Sequence, residues 1–134
     1  DIHLASQATL TIGTVTVPDY EEWRKPFADF GRVVRGEDGS VSRIVEARDA
    51  SSDELEIREV FPSFYCFKAD WLWNSLETLT ADNAQGEYYL TALLSKAMRD
   101  GVPVMTVPVD PEEALGINTI EQLGIAEQLM REKF

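Results

Sequence analysis

Between Arg32 and Glu46 the chain fixes its own local geometry. Arg32-Val33-Val34-Arg35 and Val41 to Glu46 are strand-forming runs, and Gly36-Glu37-Asp38-Gly39 between them supplies turn dihedrals that other residues resist. The reading is strand, tight turn, strand. With helix-period segments downstream of this hairpin, the chain combines strands and helices. At 134 residues there is room for one domain.

Residues 9–17 alternate like a strand, but the apolar phase moves from Leu10 and Ile12 to Val15 and Val17 across Gly13. A β-bulge at Gly13 is expected. Pro18 to Phe30, with Trp23, Phe27 and Phe30, reads as a packed excursion that covers part of the core. Ser51 and Glu54 have capping-box spacing, so a short helical turn should precede a strand from Ile57 to Phe67, apolar enough at its end to be covered on both faces. Leu72, Leu76 and Leu79 place a helix over about 69–79, and Leu90, Leu93, Leu94 and Ala97 another over about 86–99. Trp71, Trp73, Tyr88 and Tyr89 read as packing aromatics. Val102 to Val107 is a strand, Asp110-Pro111 opens a helical turn, and Thr119 with Gln122 caps a last helix with Ile120, Leu123, Ala126 and Met130 on one face.

Charge and composition exclude several functions. The formal net charge of −12 repels phosphate backbones and anionic lipid, so nucleic acid and membrane are not expected partners. The single cysteine, Cys66, forbids an intrachain disulfide and reads as a buried strand thiol in a reducing compartment, hence a cytoplasmic protein. One histidine, His3, completes no Ser/His/Asp set, and a zinc site lacks soft ligands. Any metal would be a hard, oxygen-bound ion. No two of the eight glycines are spaced as G-x-G, so no phosphate-cradling loop is visible.

Four segments carry a resemblance. Asn83-Ala84-Gln85-Gly86-Glu87-Tyr88-Tyr89-Leu90-Thr91 is similar to the N-A-Q-G-E-Y-Y-L-T-D signature of bacterial N-acetylglucosamine-1-phosphate uridyltransferases. Phe30 to Arg35 resembles their Y-G-R-I-V-R, Ile44 to Ala50 their I-V-E-x-K-D-A, and Leu115 to Thr119 their L-G-V-N-D, in the same order. The resemblance implies an α/β fold, the second half of a Rossmann-like nucleotidyltransferase domain with a mixed sheet, a β-hairpin and flanking helices, of which residues 1–134 form a single partial domain, the sugar-binding and metal-completing half. The family's glycine-rich loop and magnesium aspartate precede the matched region. As the chain begins at Asp1 without a methionine, that half is expected on sequence lost or lying upstream.

The resemblance further implies magnesium-dependent transfer of a uridylyl group from UTP to a sugar 1-phosphate, giving a UDP-sugar. Such chemistry proceeds by positioning and charge neutralisation and assigns no catalytic acid or base here. Gly31 matches the glycine against the sugar nucleotide, with a strand-start glycine as the alternative. Glu46 matches the glutamate that accepts from sugar hydroxyls; the alternative is one more solvated acid. Asn118 matches the magnesium asparagine, and a turn role before the Thr119 cap is compatible with that. Phe61 stands where the family has a sugar-contacting asparagine, and could stack on a sugar face or seal the pocket. Ala92 stands where the family has aspartate. These departures put the N-acetyl preference in doubt and favour, as the alternative, a non-catalytic sugar-nucleotide-binding or assembly module. Alone, the chain is expected to be inactive and to form a homo-oligomer or pair with a complementary nucleotide-binding half.

Overall fold

The computed structural model describes residues 2–82, 86 and 88–133. It is an α/β structure with a curled, six-stranded mixed sheet and flanking helices. The strands are β1 (Leu10–Thr16), β2 (Gly31–Arg35), β3 (Val41–Val45), β4 (Glu59–Phe61), β5 (Tyr65–Phe67) and β6 (Val104–Pro108), and the α-helices α1 (Ile2–Ala5), α2 (Ser52–Leu55), α3 (Ala69–Leu76), α4 (Ala92–Arg99) and α5 (Ile120–Lys133). β1 is central: β6 runs parallel to it on one side, while β5 and β4 pair antiparallel on the other. From β4 the sheet continues through β2 to β3.

The hairpin forms as its sequence dictates, with Arg32 opposite Val45, Val33 opposite Ile44, and a register shift at Val34/Arg35. Gly39 takes φ +80, a conformation that excludes most side chains. The Ser51–Glu54 capping box is present in both directions, Asp110 caps the 3-10 turn at Pro111–Glu113, and Thr119 and Gln122 exchange bonds at the start of α5.

No bulge lies at Gly13. β1 stays in register with β6 from Leu10 to Thr14, and the phase change has a different cause: β1 is buried on both faces. Leu10 and Ile12 face a cluster with Val33, Phe61, Leu94 and Ala97 under α4, whereas Val15 and Val17 face a second cluster with Phe27, Val60 and Ala114. The 3-10 helix Glu22–Asp29 supplies Phe27, so the 18–30 excursion covers that second core. Gly13 is a packing glycine: a Cβ there would sit 3.0 Å from both Phe64 Cβ and Val109 Cγ2. The irregularity belongs to the opposite strand. Ile12 pairs with Tyr65 but Val15 with Val60, so two extra residues are taken up around Pro62 and Ser63, and the expected 57–67 strand is divided into β4 and β5.

Other expectations need correction. Cys66 is exposed, because Tyr65 and Phe67 turn into the core and leave it on the opposite face, beside Thr11. α3 ends at Leu76, and Trp71 packs on Phe67 while Trp73 is 67% exposed. α4 begins at Ala92, not near 86, so Tyr88 and Tyr89 precede it and are exposed. Asn83, Ala84, Gln85 and Glu87 of the signature lie outside the described residues. α5 buries none of its residues, and Ile120 is 85% exposed. No helix among the described residues is long and apolar enough to cross a membrane.

Candidate functional site

Strand register gathers the site. Gly31 opens β2 opposite Phe61, the last residue of β4, and Glu46 follows Val45, the partner of Arg32 on β3. Three adjacent strand ends therefore meet at one edge of the sheet. Asn118 arrives from the opposite side: Ala114 is buried in the second cluster, Leu115 packs against it, and Gly116 lies against Phe30, where an added Cβ would be 3.4 Å from Phe30 Cζ. The result is a cleft of about 280 Å³ lined by Gly31, Glu46, Phe61 and Asn118, together with Asp29, Phe30, Pro62, Ser63 and Gly116. All four residues singled out in the sequence lie in it.

The cleft floor is apolar and its walls carry oxygen. Phe61 is 4% exposed and meets Tyr65 edge-on at 5.1 Å, so it closes the floor and leaves no free ring face for a ligand to stack on. A Cβ on Gly31 would come within 3.0 Å of Ile44 Cγ2 and 3.9 Å of Glu46 Oε2; glycine keeps the wall open and the hairpin unstrained. The Asn118 backbone N–H donates to Gln122 Oε1 at 2.6 Å, which ties the residue to the cap of α5, and its side-chain amide makes no hydrogen bond among the described residues. The turn reading of Asn118, before the Thr119 cap, fits this geometry. Asp29, Glu46 and the Ser63 hydroxyl likewise make no side-chain hydrogen bond or ion pair among the described residues.

A larger cavity, about 510 Å³, lies between the hairpin tip and the Gly101–Thr106 segment, but its polar groups are consumed internally. Arg35 holds Glu59 through both carboxylate oxygens, at 2.8 and 2.6 Å, and also reaches Gly39 O and Thr106 Oγ1. Asp38 accepts from both the backbone and the hydroxyl of Ser40. Convergent polar groups that bond to none of the described residues distinguish the smaller cleft.

Beneath the cleft, burial pushes the Tyr65 phenol up to about 12, with the Glu46 carboxylate adding to the shift. Tyr65 is thus an electrostatic neighbour of the site that sequence reading assigned to strand packing. Asp29 and Gly116 were also missed as site residues. Gly116 lay inside the Leu115–Thr119 segment, whereas no signal marked Asp29 among twenty-four acidic residues.

No protein-family model matches the chain. Curated relatives do. The Bifunctional protein GlmU of Brevibacillus brevis is 40% identical over 132 residues, 98% of this chain and 27% of that protein. The Geobacter metallireducens protein of the same name is 40% identical over 134 residues, 99% of the chain and 27% of the relative, and that of Clostridium novyi 40% over 106 residues, 79% and 23%. The chain spans about a quarter of the length of the curated relatives it matches. Over nearly its whole length the chain is thus similar to one stretch of the GlmU proteins, and Gly31, Glu46 and Asn118, from three of the four segments, line one cleft.

Proposed function

We propose that this chain is the sugar-binding and metal-completing part of a sugar-phosphate nucleotidyltransferase that transfers a uridylyl group from UTP to a hexose or hexosamine 1-phosphate. The observation that carries the reading is the convergence of Gly31, Glu46 and Asn118 on one cleft, whose acidic side chains make no hydrogen bond or ion pair among the described residues. Glu46 accepts from sugar hydroxyls, as an ionised acceptor at a strand end can. The Gly31 backbone admits the ring closely, Phe61 excludes water from beneath it, and Ser63 offers a hydroxyl at the rim.

Magnesium fits Asn118 as one ligand. Its side-chain amide oxygen is a hard ligand atom with no hydrogen bond among the described residues, and its backbone N–H is held by Gln122. When bound, magnesium neutralises phosphate charge. The chain's own part is to bind and orient the acceptor sugar.

The test is a chimera joining this chain to the glycine-rich half of a GlmU protein. It should release pyrophosphate from UTP and a sugar 1-phosphate, and Asn118→Ala should lower the rate steeply at limiting magnesium. An unchanged magnesium dependence would remove Asn118 from the metal, and an active Glu46→Ala chimera with unaltered KM for the sugar phosphate would overturn the sugar-binding role.

A further inference from the structure

Arg32 is the largest fully buried side chain, 2% exposed, yet no carboxylate pairs with it among the described residues. Its guanidinium donates to the carbonyl oxygens of Ala28, at 3.0 Å, and of Phe30, and lies 4.8 Å from the Tyr20 ring centroid; its Nε bonds to none of the described residues. Stability alone does not account for an arginine here, since an apolar side chain of similar bulk avoids the cost of taking a cation out of water. What the guanidinium does is hold a joint. The 3-10 helix Glu22–Asp29 ends just before β2 begins, and carbonyls at such an end have no partner within the helix. Arg32 reaches back from β2 to bind the carbonyl before Asp29 and the one after it.

We infer that Arg32 is a positioning residue for the cleft, setting the Gly31 wall against the Gly116–Asn118 wall through the backbone and ring of Phe30. The inference rests on the sugar-phosphate reading of the cleft, whose lining includes Phe30, Gly31, Gly116 and Asn118 but not Arg32 itself. The trans peptide that holds the Phe30 carbonyl also holds the Gly31 N–H on its opposite edge, so fixing the direction of one fixes the other. The Phe30 ring meets Phe27 edge-on at 5.2 Å and abuts Gly116, two residues before Asn118. One guanidinium thus governs both walls. Tyr20 steadies it in place of a counter-ion, through the attraction of a cation to an aromatic ring, and the Tyr20 hydroxyl is anchored by donating to the Ile57 carbonyl at 2.6 Å. Such a clamp contributes preorganisation: walls already set need no ordering when a ligand enters.

The experiment titrates the 134-residue chain and its variants with N-acetylglucosamine 1-phosphate, follows amide chemical shifts, and measures a urea midpoint for each. Arg32→Met keeps the bulk and removes the donors. Val60→Ala, opposite Arg32 in the β2–β4 pair, removes core volume and no hydrogen bond. Arg32→Met should bind about tenfold more weakly, the scale of leaving one or two groups to be ordered on binding, and should move the free-state amides of Gly31, Gly116 and Asn118. Val60→Ala should lower the urea midpoint while binding like the parent. Should Arg32→Met not fold, the Tyr20 variants decide: Tyr20→Leu takes the ring from the guanidinium and should weaken binding, whereas Tyr20→Phe keeps the ring, loses the bond to Ile57 and should bind like the parent. Parent-like affinity in Arg32→Met, equal weakening by Val60→Ala, or equal affinities in the two Tyr20 variants would overturn the inference while leaving the cleft a sugar-phosphate site. Absence of binding by the parent chain would overturn the reading of the cleft and the inference with it.

Discussion

Tyr65 and Glu46 lie close enough that the state of one is legible in the other. The phenol is raised to about 12, first by burial and then by the carboxylate. The unfolded phenol ionises near 10, so between about pH 10 and 12 the folded protein holds a proton that the unfolded chain has lost. Stability from this group is complete below pH 10 and declines as pH rises through 12. Urea midpoints should fall across that window in the parent and much less in Tyr65→Phe. In Glu46→Gln, ultraviolet titration should place the Tyr65 transition lower than in the parent; an unmoved transition would separate Glu46 from Tyr65. At acid pH the sign reverses. Burial works upward on the Glu59 carboxyl, but bonds from Arg35 and Thr14 outweigh it and hold it below the usual range, so its contribution is present at neutrality and lost as pH falls below about 4. Glu59→Gln should flatten the acid limb of the stability profile. Ser63 carries φ +63, strained for any residue with a Cβ. Ser63→Gly should gain about 1 kcal/mol, visible as a rise of about 3 °C in Tm.

The elements that the sequence announces most clearly are those whose signals are local. The glycine turn of the β2–β3 hairpin and the caps at Ser51, Asp110 and Thr119 depend on residues within a few positions of one another, and all appear as read. What was illegible depends on partners far along the chain. The phase change across Gly13 is a bulge or a strand with two cores, and only the placement of Phe27 and Leu94 on opposite faces decides it. Cys66 looks buried in Phe64-Tyr65-Cys66-Phe67, yet strand alternation sends it outward. Of the cleft, Gly31, Glu46, Phe61 and Asn118 were legible through the motifs that contain them. Asp29 enters the cleft only through the folding of the 18–30 segment beside the strand ends, which no local signal marks. At this scale Gln122 is the informative position, since its Oε1 accepts from both Asn118 and Thr119. Gln122→Ala should cost about 1 kcal/mol by loss of the cap and should weaken the magnesium dependence of the chimera alongside, measured by thermal denaturation and pyrophosphate release.

As a whole molecule the chain has sheet edges to manage. Outside their bonds to β1, β5 and β6 present open edges, Phe64 is 44% exposed beside one of them, and α5 leaves Ile120, Leu123 and Met130 uncovered. Open edges and apolar faces favour association, whereas a net charge of −12 opposes it at long range. Sedimentation should therefore show a species heavier than 15.1 kDa, increasingly so as salt screens the repulsion. A monomer at all salt concentrations would show that charge dominates. The central claim, that the cleft at the ends of β2, β3 and β4 holds a sugar phosphate, is tested most directly by amide chemical-shift mapping of the chain titrated with a hexosamine 1-phosphate. Changes should centre on Gly31, Glu46, Ser63, Gly116 and Asn118. Changes centred instead on the Arg35–Thr106 groove, or none at saturating ligand, would contradict it.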